Sequence, residues 1–140
     1  MKNIKFSFMF ALAFLVAGSS FARDNQKELR FAPGTSSATV SNSVIRGDRD
    51  IYSVTAKAGQ TMTVAVSAKE DNAAFQIYEP GAKFVKEDGM TDIKGATLPK
   101  AGEEDDAKSF SGPLPKSGKY LIVVGGTRGN ASYKLKVAIK

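Results

Sequence analysis

The chain has 140 residues, with 20 Lys and Arg against 14 Asp and Glu for a formal net charge of +6, and it contains neither cysteine nor histidine. Those absences remove thiol nucleophiles, Ser-His-Asp arrangements, imidazole bases and disulfides, and leave zinc without sulfur or imidazole ligands. The basic residues form no dense run, and an exported chain meets no nucleic acid, so the positive balance does not indicate a nucleic-acid partner.

Residues 1–22 have the features of a secretory signal peptide. Lys2 and Lys5 make the start basic, an apolar run extends from Phe6 to Ala17, and small residues follow. The run is shorter than the roughly 20 apolar residues that span a membrane, so export without a membrane anchor is expected. Ser20 and Ala22 provide small side chains three and one positions before a cut between Ala22 and Arg23. Cleavage there leaves residues 23–140 as a single domain, with Lys2 and Lys5 gone and a net charge of +4. A domain of that size holds a core without disulfides.

From Thr35 onward apolar and polar residues alternate over short stretches bounded by Gly, Pro, Asn and Asp, the pattern of half-buried antiparallel strands. Gly47-Asp48-Arg49-Asp50 comes first. Asp48 and Asp50 share a face if the segment is extended, which leaves two readings open: a weak oxygen-ligand pair, or a turn capped by its own carboxylates. Tyr52, Val54 and Ala56, then Met62, Val64 and Val66, mark two strands separated by Ala58-Gly59-Gln60, and a hairpin of 50–57 with 60–67 is expected. Phe75 and Ile77 mark another strand. Between Glu87 and Lys108 the alternation fails, and a long surface loop is expected, with room for one short strand. Its acidic run, Glu103 to Asp106, lacks the alternating oxygen ligands of a calcium loop and reads as a solvated tip.

The C-terminal third carries the strongest pattern. Ser117-Gly118 is a turn before a strand marked by Tyr120, Ile122 and Val124. Arg128 lies in the next turn, Gly126-Thr127-Arg128-Gly129-Asn130. In the last strand Tyr133, Leu135, Val137 and Ile139 share one face, while Ser132, Lys134, Lys136 and Lys140 share the other. The spacing of strands and turns predicts an antiparallel β-sandwich, jelly-roll-like, of about seven to nine strands.

Two blocks, Gly47-Asp48-Arg49-Asp50-Ile51-Tyr52 with Ala56-Lys57-Ala58-Gly59-Gln60, and Leu114-Pro115-Lys116-Ser117-Gly118-Lys119-Tyr120 with Gly126-Thr127-Arg128, resemble the bacterial pre-peptidase C-terminal type of β-sandwich. So does Asp71-Asn72-Ala73-Ala74-Phe75 between them. Within that group the chain resembles the periplasmic inhibitors of goose-type (g-type) lysozyme, through Phe31 to Ala38, the Ser-Gly-Lys-Tyr run and the Thr-Arg that follows it. That resemblance implies a protein partner, g-type lysozyme. It also implies that Ser117, Gly118, Tyr120 and Arg128 belong to loops entering the enzyme's cleft, with Asp48, Arg49 and Asp50 as secondary contacts. The residues themselves leave a plainer reading beside each role: Tyr120 as a core tyrosine, Ser117 as a turn residue, Arg128 as a solvated loop cation.

The expected function is therefore binding rather than catalysis, without cofactor or metal: inhibition of a g-type lysozyme by loops inserted in its cleft. The alternative is a non-inhibitory envelope module that recognises glycan or a partner protein, supported by the excess of exposed lysine on the strands. The oligomeric state is not legible from the sequence.

Overall fold

A computed structural model describes residues 24–140, and the expected signal peptide and cut site lie outside them. Two four-stranded sheets face one another. The first has the order β1 (Asp24–Glu28), β3 (Arg49–Ala56), β9 (Gly118–Gly126), β5 (Ala73–Tyr78). The second has the order β2 (Ser37–Val44), β10 (Ala131–Ile139), β4 (Thr61–Ala68), β8 (Ser109–Pro113). A separate hairpin, β6 (Lys83–Glu87) and β7 (Met90–Lys94), brings the described strands to ten. Every pairing is antiparallel except β1 with β3. The fold is the antiparallel sandwich that the alternation predicts; β1 and the β6–β7 hairpin carry it just past the expected strand number.

The second sheet obeys the period of two throughout. In β10 the residues Tyr133, Leu135, Val137 and Ile139 are buried while Ser132, Lys134 and Lys136 are exposed, and β4 repeats this with Met62, Val64 and Val66. The first sheet is different. Tyr120 through Val124 of β9 are all buried, because both faces of this sheet are covered. Tyr120, Ile122 and Val124 enter the main core between the sheets, and Leu121 and Val123 join Ile51, Tyr78 and Ile93 in a second cluster beneath the β6–β7 hairpin.

The expected hairpin of 50–57 with 60–67 does not form. β3 and β4 belong to opposite sheets, and the chain arches between them at Ala58-Gly59. Both edges of β3 are already occupied, by β1 and β9, so no edge remains for β4. The glycine reading itself holds in part: Gly59 has a φ of 88°, but its N–H donates to the Leu114 carbonyl at 2.9 Å rather than closing a two-stranded turn.

The 87–108 segment holds β7 and then runs along the outer edge of β5. The amides of Phe75 and Ile77 donate to the carbonyls of Ala107 and Ala101, each at 2.9 Å, and Leu98 donates back to Ile77 at 2.9 Å. Leu98, Ala101 and Ala107 are buried there. The segment thus protects an edge strand that would otherwise expose unpaired amides and carbonyls. The acidic run is exposed at its tip.

Candidate functional site: the two loop ends of strand β9

β9 sets the geometry of the site residues. Ser117 precedes it and Arg128 follows it, so the two stand at opposite ends of a strand of nine residues, about 30 Å apart at roughly 3.3 Å per residue. Ser117, Gly118 and Tyr120 lie together at one end; Asp48, Arg49, Asp50 and Arg128 lie toward the other, where Arg49 pairs with Gly125.

At the first end the turn is held from below. The Ser117 hydroxyl accepts the Ala58 N–H at 2.9 Å. Leu114 is buried and donates its N–H to the Gln60 carbonyl at 2.8 Å. The Tyr120 hydroxyl donates to the Lys116 carbonyl at 2.7 Å and accepts the Lys116 N–H at 3.2 Å. Tyr120 is 0% exposed. Its ring therefore has no surface to offer a partner, because it alternates in register with Ile122 and Val124; its contribution to this end is to pin the turn. Gly118 has a φ of 143°, and a Cβ there would fall 2.9 Å from the Pro80 side chain, so the close approach of the 79–82 turn requires glycine. Ser117 and Lys116 remain exposed on the outside of this clamp, Lys116 with Glu79 at 3.6 Å.

The other end is built around Asn72, a polar residue only 3% exposed. Its Nδ2 donates to the carbonyls of Asn130 at 2.8 Å and Arg128 at 3.3 Å, and its own carbonyl accepts the Thr127 N–H at 2.9 Å. One buried residue thus holds the 127–130 turn from both sides, its side chain at residues 128 and 130 and its backbone carbonyl at Thr127. The turn is tight enough that a Cβ on Gly126 would lie 2.4 Å from the Gly129 carbonyl oxygen. Arg128 is exposed, and its guanidinium touches the protein through one donated bond, to the Glu70 carbonyl at 2.9 Å. Nearby, Asp71 pairs with Lys108 at 2.7 Å, and that hydrogen bond and charge hold its carboxyl below the usual carboxylate range. The turn beside Arg128 carries Ile45, which is 64% exposed, and the Arg46 N–H donates to Asn130 Oδ1 at 2.7 Å.

Arg49 and Asp50 are occupied inside the protein. Arg49 makes two parallel bonds to Asp24, at 2.9 and 2.8 Å, and a third to the Thr91 carbonyl at 2.8 Å. The hydrogen bond and charge of Asp24 raise its already high pKa further, against the opposing effect of burial. This single side chain ties β1, β3 and the β6–β7 hairpin together. Asp50 is 2% exposed and accepts bonds from the Tyr133 hydroxyl, Asn25 at 3.1 Å and Asn42 at 3.3 Å. Tyr133 also lies 2.6 Å from the Tyr52 hydroxyl, and burial, followed by the bond to Asp50, pushes its pKa well above the usual phenol range. Asp48 is half-buried and donates its N–H to the Ile45 carbonyl at 2.9 Å. The Asp50 carboxylate faces the interior, where its partners are Tyr133, Asn25 and Asn42 and not the backbone of the turn before it. Among the described residues no group of three or more Asp and Glu converges as a metal-binding set.

The sequence singles out Ser117 and Arg128, but it does not assign Asn72 a role. Its visible signals are an Asp-Asn pair ahead of a strand and its place in the 71–75 block that carries the resemblance.

No family model matches the chain. The inhibitor of g-type lysozyme from Escherichia coli strain K12 is 30% identical to it over 132 residues, covering 90% of each chain. Among solved structures, the periplasmic inhibitor of g-type lysozyme from Aeromonas hydrophila superposes with a TM-score of 0.65 at 32% identity, over 85% of this chain and 99% of that one. A mutant of the corresponding Escherichia coli inhibitor gives a TM-score of 0.58 at 26% identity, over 85% of this chain and 100% of its own.

Proposed function

Because the chain belongs to the family of inhibitors of g-type lysozyme, we propose that it binds a g-type lysozyme in the periplasm and blocks the enzyme's substrate cleft with its end loops. Export by the 1–22 signal peptide, with cleavage after Ala22, belongs to the same proposal; mass spectrometry of periplasmic protein should find a chain that begins at Arg23.

The observation that carries the reading is the Arg128 turn: an exposed cation on a loop whose Arg128 and Asn130 carbonyls are both held by one buried asparagine. A muramidase cleft presents carboxylates and polar sugar-binding groups. A preordered guanidinium can meet them with little loss of conformational freedom on binding. The Ser117 turn is the second contact. With about 30 Å between the two ends, both touch one enzyme only if β9 lies along the groove. Tyr120 pins the Ser117 turn from inside, while Arg49 and Asp50 tie together the strands around β3. The action is binding alone, with no chemical step and no cofactor.

If Arg128 pairs with a desolvated carboxylate of the enzyme, Arg128→Ala weakens inhibition by about 2–5 kcal/mol, and Arg128→Lys does not restore it where the contact is bidentate. Ser117→Ala costs less and must be read beside its stability, since the hydroxyl also accepts the Ala58 amide. Folded Arg128→Ala that inhibits like the wild-type protein would remove the Arg128 turn from the interface.

A further inference from the structure

The outward face of the second sheet is separate from both loop ends, and its composition is unusual. None of the 14 Asp and Glu residues of the chain lies in β2, β4, β8 or β10. The exposed positions of β2 are Ser37, Thr39, Ser41 and Ser43; those of β4 are Thr61, Thr63, Ala65 and Ser67. β8 adds Ser109 and Ser111. Through the middle runs β10, which presents Ser132, Lys134 and Lys136, with Lys140 just beyond its end.

The register assembles these residues into rows. Lys134 stands between Ser41 and Ser67, and Lys136 between Thr39 and Ala65. Neighbouring hydroxyls already touch, Ser43 with Ser132 at 2.8 Å and Thr63 with Ser111 at 3.3 Å. Lys134, Lys136 and Lys140 enter none of the ion pairs among the described residues. Two shallow hollows lie along the face. One, of about 650 Å³, is lined by Ser41, Ser67, Lys69 and Lys134 among others; the second, of about 530 Å³, by Thr61, Thr63, Lys136 and Lys140.

We infer that this face is a docking surface for an acidic polysaccharide, a glycan strand bearing carboxylate groups. Charge complementarity selects a polyanion: cations that enter none of the ion pairs among the described residues face solvent along one strand and just beyond its end. Lys134 and Lys136 are two residues apart, about 6.8 Å, which is within the screening distance of roughly 8 Å at physiological ionic strength. Their fields therefore add on one bound chain. The hydroxyl rows supply donors and acceptors that match the hydroxyls of sugar rings. The large exposed apolar residues, Ile45, Phe84 and Met90, all lie outside this sheet. The face thus lacks the apolar side chains that insert into a bilayer and the aromatic anchors of a protein interface.

The test uses fluorescently labelled polygalacturonate, with neutral dextran and anionic phospholipid vesicles in parallel arms. The purified protein is expected to bind polygalacturonate and not dextran, with an affinity that falls as salt is raised. Lys134→Ser, Lys136→Ser and Lys140→Ser combined should weaken that binding at least about tenfold, while lysozyme inhibition stays unchanged. A charge-matched variant, Lys57→Ser with Lys83→Ser and Lys86→Ser at exposed positions elsewhere, should bind the glycan as the wild type does. Circular dichroism checks that both variants fold. Equal losses in the two variants would mean that net charge alone is read, and would overturn the inference. So would tighter binding to the vesicles than to the glycan, or loss of lysozyme inhibition in the face variant, which would assign this face to the enzyme.

Discussion

Asn72→Ala tests whether the Arg128 turn works because it is preordered. The substitution touches no surface that a partner could reach, since Asn72 is 3% exposed. It removes the bonds to the carbonyls of Arg128 and Asn130. At about 0.5–1.5 kcal/mol net for each bond, the fold loses roughly 1–3 kcal/mol, which leaves a typical domain folded at 25 °C. The turn then keeps the Thr127 amide bond, the Arg46 bond to the Asn130 side chain and the Arg128 bond to Glu70, but the carbonyls of residues 128 and 130 lose their anchor. Ordering one or two released residues on binding costs about 1–3 kcal/mol, or roughly a 5- to 150-fold loss of inhibition. The assay is a titration of muramidase activity with wild type, Asn72→Ala, Arg128→Ala and the double variant, with thermal melts alongside. If Asn72 acts by positioning Arg128, its replacement adds little once Arg128 is gone, and the two losses do not sum. A folded Asn72→Ala that inhibits as well as wild type, or fully additive losses, would refute the preordering argument.

Other consequences concern the support of the same loops. Tyr120→Phe deletes the hydroxyl that bonds both polar groups of the Lys116 backbone, and the urea midpoint should fall by an amount equal to about 1–2 kcal/mol with the slope unchanged; an unchanged midpoint would contradict the pin. Ile93→Ala opens the small cluster between the β6–β7 hairpin and β9, costing about 2–4 kcal/mol, and hydrogen exchange should show the hairpin amides losing protection before those of β9. Alkaline stability follows from Tyr133, whose phenol is held neutral by burial and by Asp50. Its folded pKa lies above the unfolded value near 10, so the stabilisation is complete below about pH 10 and is lost as pH rises, by up to roughly 1.4 kcal/mol per pH unit. Tyr78 contributes in the same direction, through burial first. Denaturant titrations across that window should show a shallower decline for Tyr133→Phe, and an identical slope would mean that Tyr133 ionises in the folded state.

The strands with one wet face were legible because burial on one side imposes a period of two, and Tyr133 to Ile139 is the clearest case. β1 was not legible. Asp24 to Glu28 contains no apolar residue, and its order comes from parallel pairing with β3 and from side-chain bonds to Arg49 and Asp50 of that same strand. The partner of β3 was misread because a glycine turn reports a reversal of direction and not which edges are free. Within 87–108 the buried residues Ile93, Leu98, Ala101 and Ala107 follow no regular spacing, since they fill gaps over the first sheet and along its edge. The Ser117 turn and the Arg128 turn could be placed on either side of one strand from spacing alone. That Tyr120 faces inward at 0% exposure follows from its register with Ile122, whereas the hold of Asn72 on a turn 56 residues away needed the folded chain.

The central claim, that this domain inhibits a g-type lysozyme, is tested most directly by titrating the purified protein into a g-type lysozyme acting on a cell-wall suspension, with a chicken-type enzyme in a parallel series. Loss of g-type activity that saturates near equimolar inhibitor, and that Arg128→Ala shifts to higher concentration, is the expected result. A g-type enzyme left fully active by excess protein would contradict it.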